Sequence, residues 1–190
     1  MLPSGFFDED TPPLSGDRES PLLADGRGAR EMVLTPTPPC PNSAHTMAQE
    51  TTLILFKPDA IQQDLVGTVL ARYQAEGFKI QGIKMMALSD ELLAEHYAHI
   101  AEMPFFPSVR SFMQETPVIA LALSGDKVIS RVRDLLGPTD SKEAPAGTIR
   151  GDFGEKSEDS KMRNICHASD SPEAAAAELK RFFNEGEVFA

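Results

Sequence analysis

The sequence has no tryptophan, two tyrosines, two cysteines and four histidines in 190 residues. Cys40 and Cys166 stand in neither CxxC nor zinc-finger spacing, which excludes a disulfide-stapled scaffold and points to a reducing compartment. No run approaches the roughly 18 apolar residues of a membrane-spanning helix, and no basic-then-apolar leader opens the chain. A cytoplasmic protein is expected. Positive charge is also scarce: 18 Lys and Arg stand against 29 Asp and Glu, for a net charge of -11. That balance argues against broad attraction to nucleic acid or an anionic membrane, so neither is expected as a partner. Any site for phosphate must gather its cations locally.

What is present divides at about residue 46. Residues 1 to 46 hold eight of the fifteen prolines, no lysine, and seven acidic against three basic residues. This composition predicts a disordered acidic tail, with TPTPPCP at 35 to 41 as a spacer or a polyproline II ligand. A single domain is expected over 47 to 190, and Met47 is an alternative start. TTLILF (51 to 56) reads as a strand closed by Lys57-Pro58. Ile61, Leu65, Val66, Val69, Leu70 and Tyr73 recur at helical spacing before Gly77. Strands are predicted at 78 to 88, 117 to 123 and 163 to 167, and helices from Ser89, over 105 to 115 and over 128 to 136. A long irregular loop is expected over 137 to 154. The last helix starts at Ser171-Pro172, with Ala175, Ala176, Leu179, Phe182 and Phe183 on one face and Glu178 at its border. This order of elements predicts an α+β sandwich of the split βαβ type, with helices over a four-stranded antiparallel sheet.

His167 lies in RNICHASDSP (163 to 172), between a β-like run and a helix start. A lone histidine there is ordinarily a packed or solvent-facing loop residue. Its company changes that reading. Lys57 ends the first strand, Arg133 sits on the polar side of the helix before the long loop, and Arg150 lies within that loop. With Thr139 and Asn164 they supply positive charge and donors for phosphate oxygens. Neutral imidazole exists at pH 7 and is a competent nucleophile, and a carboxylate on one ring nitrogen frees the other for attack. Glu178 is placed for that. Cys166 reads as a small buried strand residue more readily than as a thiol nucleophile. GEKS (154 to 157) lacks the glycine directly before lysine of a P-loop, and DFG (152 to 154) stands without the other protein-kinase motifs. His96 and His99 could share a metal but lack a third ligand, so no dedicated metal site is expected.

FKPDA (56 to 60), EHY (95 to 97), PFF (104 to 106), RDLLGPT (133 to 139), GTIRGDF (147 to 153) and NICHASDS (164 to 171) occur in this order. Together they resemble the nucleoside diphosphate kinase family, in particular its short bacterial-type members. The resemblance runs from Thr51 to the end of the chain and leaves residues 1 to 46 as an extension. It implies a ferredoxin-like fold and a ping-pong transfer in which His167 takes the γ-phosphoryl group of ATP or another nucleoside triphosphate and passes it to a diphosphate. It also implies that Lys57, Arg133, Thr139, Arg150 and Asn164 hold phosphates and ribose hydroxyls. Tyr97 would line the site near the histidine, and Phe105 would stack on the base with Val109 on the same clamp. Glu178 would hydrogen-bond the imidazole, and Ser169 would support that pair. Mg2+ would be held through nucleotide phosphates, and stacking implies broad base tolerance because every base has a π-face. A homo-oligomer is implied, with tetramer and hexamer both open. Ala168 replaces a frequent glycine, Ala146 a frequent proline and Met103 a frequent basic residue; none removes a catalytic role. The rival reading is an idle nucleotide-binding scaffold, which would tolerate losses at His167, Glu178 or the arginines. None is lost.

Overall fold

The first strand, β1 (Gln49–Phe56), is apolar without alternation because the sheet it belongs to is covered on both faces. The computed structural model describes residues 49–189, and the expectations for residues 1 to 46 lie outside them. After β1 come α1 (Pro58–Gln62), α2 (Val66–Ala75), β2 (Lys79–Met86), α3 (Asp90–His96) and α4 (Phe106–Met113). They are followed by β3 (Val118–Asp126), α5 (Val128–Leu136), α6 (Ile149–Phe153), β4 (Cys166–Ala168) and α7 (Pro172–Phe182). The strands form one sheet in the order β2-β3-β1-β4, antiparallel at every pairing. This is the split βαβ arrangement expected from the sequence.

Ile54, Phe56, Leu121 and Leu123 point to one face, where Val69 and Tyr73 of α2 and Val128, Val132 and Leu136 of α5 pack on them. Leu53, Leu55, Ala120 and Ala122 point to the other, against Leu93 of α3, Phe112 and Met113 of α4, and Phe182 of α7. Among the described residues no helix is long and apolar enough to cross a membrane.

Several boundaries differ from the sequence reading. The helical pattern from Ile61 to Tyr73 is interrupted at Asp64, whose φ of 56° breaks it into α1 and α2. The loop over 137 to 154 contains α6, whose cap Thr148 accepts a hydrogen bond from Gly151 N at 3.0 Å. The fourth strand is only three residues long, because Ile165 before it has a positive φ of 73° that no strand can contain. On α7 the buried stripe is Ala175, Glu178 and Phe182; Ala176 is exposed and Phe183 lies beyond the helix in extended backbone. Glu178 is therefore in the middle of the inward stripe, not at its border.

Candidate functional site

In β4, His167 lies directly opposite Leu55 of β1, and opposed residues of an antiparallel pair show the same face of the sheet. That face carries α3 and α7. Glu178 of α7 meets the imidazole there, with Oε1 2.9 Å from His167 Nε2. The Ser169 hydroxyl donates to Glu178 Oε2 at 2.6 Å and accepts from Leu53 N at 3.3 Å. A chain of hydrogen bonds thus runs from the backbone of the central strand through Ser169 and Glu178 to the ring. Burial pushes the Glu178 carboxyl up, but hydrogen bonds from His167 and Ser169 outweigh it and hold it below the ordinary carboxylate value. An ionised carboxylate can only accept, so Nε2 carries the ring proton and Nδ1 keeps its lone pair. The His167 side chain is 26% exposed, enough to be reached.

Four cations, Lys57, Arg133, Arg150 and Lys161, line a cleft of about 490 Å³ with this histidine. Lys57 Nζ donates to Asn164 Oδ1 at 2.6 Å and to Met162 O at 3.0 Å. Burial, then the charge of Arg150, lowers the Lys57 ammonium to about 8. The Arg150 guanidinium is almost enclosed and is pinned to three backbone carbonyls: Nε to Asn164 at 3.3 Å, Nη1 to Gly137 at 2.9 Å and Nη2 to Cys166 at 2.8 Å. Three of its five N–H groups are engaged, which leaves two for a ligand. Gly137, with φ of 83° at the end of α5, gives its carbonyl the direction that Arg150 needs. Arg133, one turn earlier on α5, is exposed at the cleft wall.

The comparisons with known proteins bear on this arrangement. The family model for nucleoside diphosphate kinase matches residues 50–188. The chain belongs to the nucleoside diphosphate kinase family. It is 44% identical to the nucleoside diphosphate kinase of Staphylothermus marinus over 142 residues, 75% of this chain and 98% of that protein. It is 45% identical to the one of Parabacteroides distasonis over 140 residues, 74% of this chain and 89% of that protein. Among solved structures, the Aquifex aeolicus nucleoside diphosphate kinase matches with a TM-score of 0.68 and 40% identity over 74% of this chain and 99% of that one. A Halobacterium salinarum nucleoside diphosphate kinase in complex with CDP matches with a TM-score of 0.70 and 36% identity, over 75% of this chain and 92% of that one. The protein is accordingly a phosphotransferase of the nucleoside diphosphate kinase type, acting on nucleotides with a divalent cation.

Most of the residues that the sequence singled out for a nucleoside diphosphate kinase lie around one cleft. Lys57, Tyr97, Arg133, Thr139, Arg150 and Asn164 line the cleft with His167 and Glu178, while Ser169 is buried behind Glu178. Phe105 and Val109 line an adjoining hollow of about 480 Å³ that shares Lys57, Tyr97 and Lys161 with the cleft, and Phe105 is 50% exposed at its lip. The Asn164 amide is committed inward: Oδ1 to Lys57, and Nδ2 to Thr139 O at 2.8 Å and Lys161 O at 2.9 Å. It therefore orders the cation and the loop whatever else it binds. Burial pushes the Cys166 thiol up, in keeping with an inert strand residue. His99 is exposed and is not in the group that His96 forms with His167 and Glu178.

Three residues have roles that the sequence reading did not assign. His96, at the end of α3, packs edge-on against His167 with ring centroids 4.7 Å apart, and neither of its ring nitrogens has a hydrogen-bond partner among the described residues. Ile165 takes its positive φ in a γ-turn closed by the bond from Cys166 N to Asn164 O at 2.8 Å. Asp59, buried in the first turn of α1, accepts from Ile165 N at 2.9 Å and so fastens that turn. All three lie within the quoted motifs, but no local pattern marks the contacts of Asp59 with Ile165 or of His96 with His167, which join residues distant in sequence.

Proposed function

We propose that His167 Nδ1 attacks the γ-phosphorus of a bound nucleoside triphosphate, holds the phosphoryl group as a phosphohistidine, and yields it to a nucleoside diphosphate in a ping-pong cycle. The observation that carries this is the Ser169–Glu178–His167 chain of hydrogen bonds, which holds the ring proton on Nε2 at 2.9 Å from Glu178, beside Lys57, Arg133 and Arg150. As charge moves onto the ring, Glu178 stabilises it; as charge spreads over the travelling phosphoryl oxygens, the cations do. Thr139 and the remaining Arg150 N–H groups would position phosphates, and Asn164 would do so through Lys57 or reach a ribose hydroxyl. Tyr97 closes the wall next to the histidine.

The base would lie in the adjoining hollow between Phe105 and Val109. Its walls are largely apolar, with Ile100, Phe112 and Met113 behind them. Stacking of this kind discriminates little between bases, which supports broad nucleotide tolerance. The two carboxylates in the cleft lining are Glu178, already bonded to His167 and Ser169, and Asp170. They form no cage, which fits Mg2+ carried on the nucleotide's phosphate oxygens. When bound there, Mg2+ neutralises charge on the β- and γ-phosphates.

The same proposal includes a homo-oligomer, supported by exposed Ile83 and Met85 on the edge strand β2. The test of the chemistry is incubation with γ-labelled ATP. Wild type should acquire acid-labile label, His167→Ala should not, and double-reciprocal plots for the two nucleotides should be parallel. Intersecting lines would show direct transfer in a ternary complex, and an unlabelled wild type would leave a nucleotide-binding scaffold.

A further inference from the structure

His96 is hard to account for as a packing residue alone. Its side chain is 2% exposed, and both ring nitrogens lack any hydrogen-bond partner among the described residues. A phenyl ring would fill this position without burying two polar atoms. Its surroundings supply what those nitrogens suit. His96 Nδ1 is 3.9 Å from Glu178 Oε1, the same oxygen that lies 2.9 Å from His167 Nε2. One donor atom from each of His96, His167 and Glu178 falls within 4.8 Å of the others, and this is the one such trio among the described residues.

We propose that His96, His167 and Glu178 form a binding site for a borderline-soft divalent cation, Zn2+ in chemical type, and that its occupation silences His167. Bonds of about 2.1 Å at tetrahedral angles separate neighbouring ligand atoms by roughly 3.4 Å. The distances of 2.9 and 3.9 Å lie on either side of that spacing, so a small movement of the His96 ring completes three ligands. Two imidazoles and a carboxylate with a fourth position left for water are a donor set suited to zinc and ill-suited to Mg2+, which prefers six oxygens. All three residues line the cleft, which gives the ion a way in.

The inhibition rests on the phosphotransfer reading. A cation on Nε2 displaces the proton that Nε2 shares with Glu178. Neutral imidazole keeps one N–H, so the proton moves to Nδ1 and occupies the lone pair that must attack phosphorus. The ring's charge is unchanged and no bond to substrate is touched. Nucleotide binding therefore survives while phosphoryl transfer stops.

The test uses the full chain, with free Zn2+ set by a metal buffer. Binding is read first without nucleotide, by calorimetry with Zn2+ and by the visible absorption of Co2+ as a coloured substitute. The site should be lost or weakened at least about tenfold in His96→Phe, which keeps a ring in the packing and removes both nitrogens. Thermal melting checks that this variant folds; if it does not, His96→Gln and Glu178→Gln carry the same comparison. Labelling from excess γ-labelled MgATP is read second. Saturating Zn2+ should slow wild-type labelling at least tenfold while ADP affinity stays the same, and His96→Phe should label at its own zinc-free rate throughout. Equal Zn2+ affinity in wild type and variants, or full labelling at saturation, would overturn the proposal. A wild type that takes no label even without Zn2+ would sink the phosphotransfer reading, and the binding comparison would still decide the site.

Discussion

At the scale of single residues, the site depends on where two protons sit. Glu178 fixes one of them on His167 Nε2, and Ser169 fixes Glu178. Glu178→Gln keeps an acceptor of similar shape but removes the charge that would stabilise the proposed phosphorylated ring, so kcat should fall roughly 10- to 100-fold with KM nearly unchanged. Ser169→Ala should cost less, because Glu178 keeps its bond to the histidine. Steady-state kinetics of the two variants check that order. The second proton is on Lys57, lowered to about 8 from an ordinary lysine value of 10.5. Between those values the unfolded chain holds a proton there that the folded, nucleotide-free protein does not. Stability from this group therefore rises with pH through the window and is lost as pH falls to 8. Phosphate beside the ammonium favours its charged form, so ADP binding near pH 8.5 should take up protons. Calorimetry in buffers of different ionisation enthalpy should show this uptake in wild type and its loss in Lys57→Arg.

At the scale of elements, the site hangs on the joint between α1 and β4. Ile165 is a β-branched residue at φ of 73°, a conformation its own side chain disfavours. Local preference cannot hold it there; Asp59 Oδ2 on Ile165 N, and Lys57 N on Ile165 O at 3.0 Å, do. Asp59→Ala leaves a buried N–H without its acceptor, which should cost about 1–3 kcal/mol in denaturant unfolding and slow labelling of His167 two residues on. Asp59→Asn retains an acceptor and should recover most of the stability. This joint also shows what the sequence could and could not convey. TTLILF and PVIALAL announce their strands through apolar runs, and Ser171-Pro172 announces the start of α7, since Ser171 accepts from Ala174 N at 3.1 Å as a cap should. Lys57, Arg133, Arg150 and His167 were visible as chemistry-bearing residues in a recognisable order. The turn at Ile165, its anchor Asp59 and the approach of His96 to His167 were not. Periodicity and turn propensity report on neighbours in the chain, whereas the Asp59 bond spans 106 residues of sequence.

At the scale of the whole molecule, two helical layers cover the sheet but leave the outer edge of β2 partly bare. Ile83 and Met85 are two residues apart and so share a face, and they are 50% and 57% exposed. Facing partners Leu121 and Ile119 on β3 lie under the α2 and α5 layer, which does not reach across β2. An apolar strip on an edge strand invites association, and a chain of net charge -11 would otherwise keep copies apart. A second copy of the same strip is the simplest cover, since a two-fold axis makes one patch complementary to itself. The double variant Ile83→Glu, Met85→Glu should then sediment with fewer subunits than wild type. Its cleft residues lie on α3, α5, α6, β4 and α7 and the loops beside them, away from β2, so labelling of His167 should persist in the smaller species. A wild type that sediments as a monomer would overturn the homo-oligomer, and a variant with an unchanged subunit count would move the interface away from this edge.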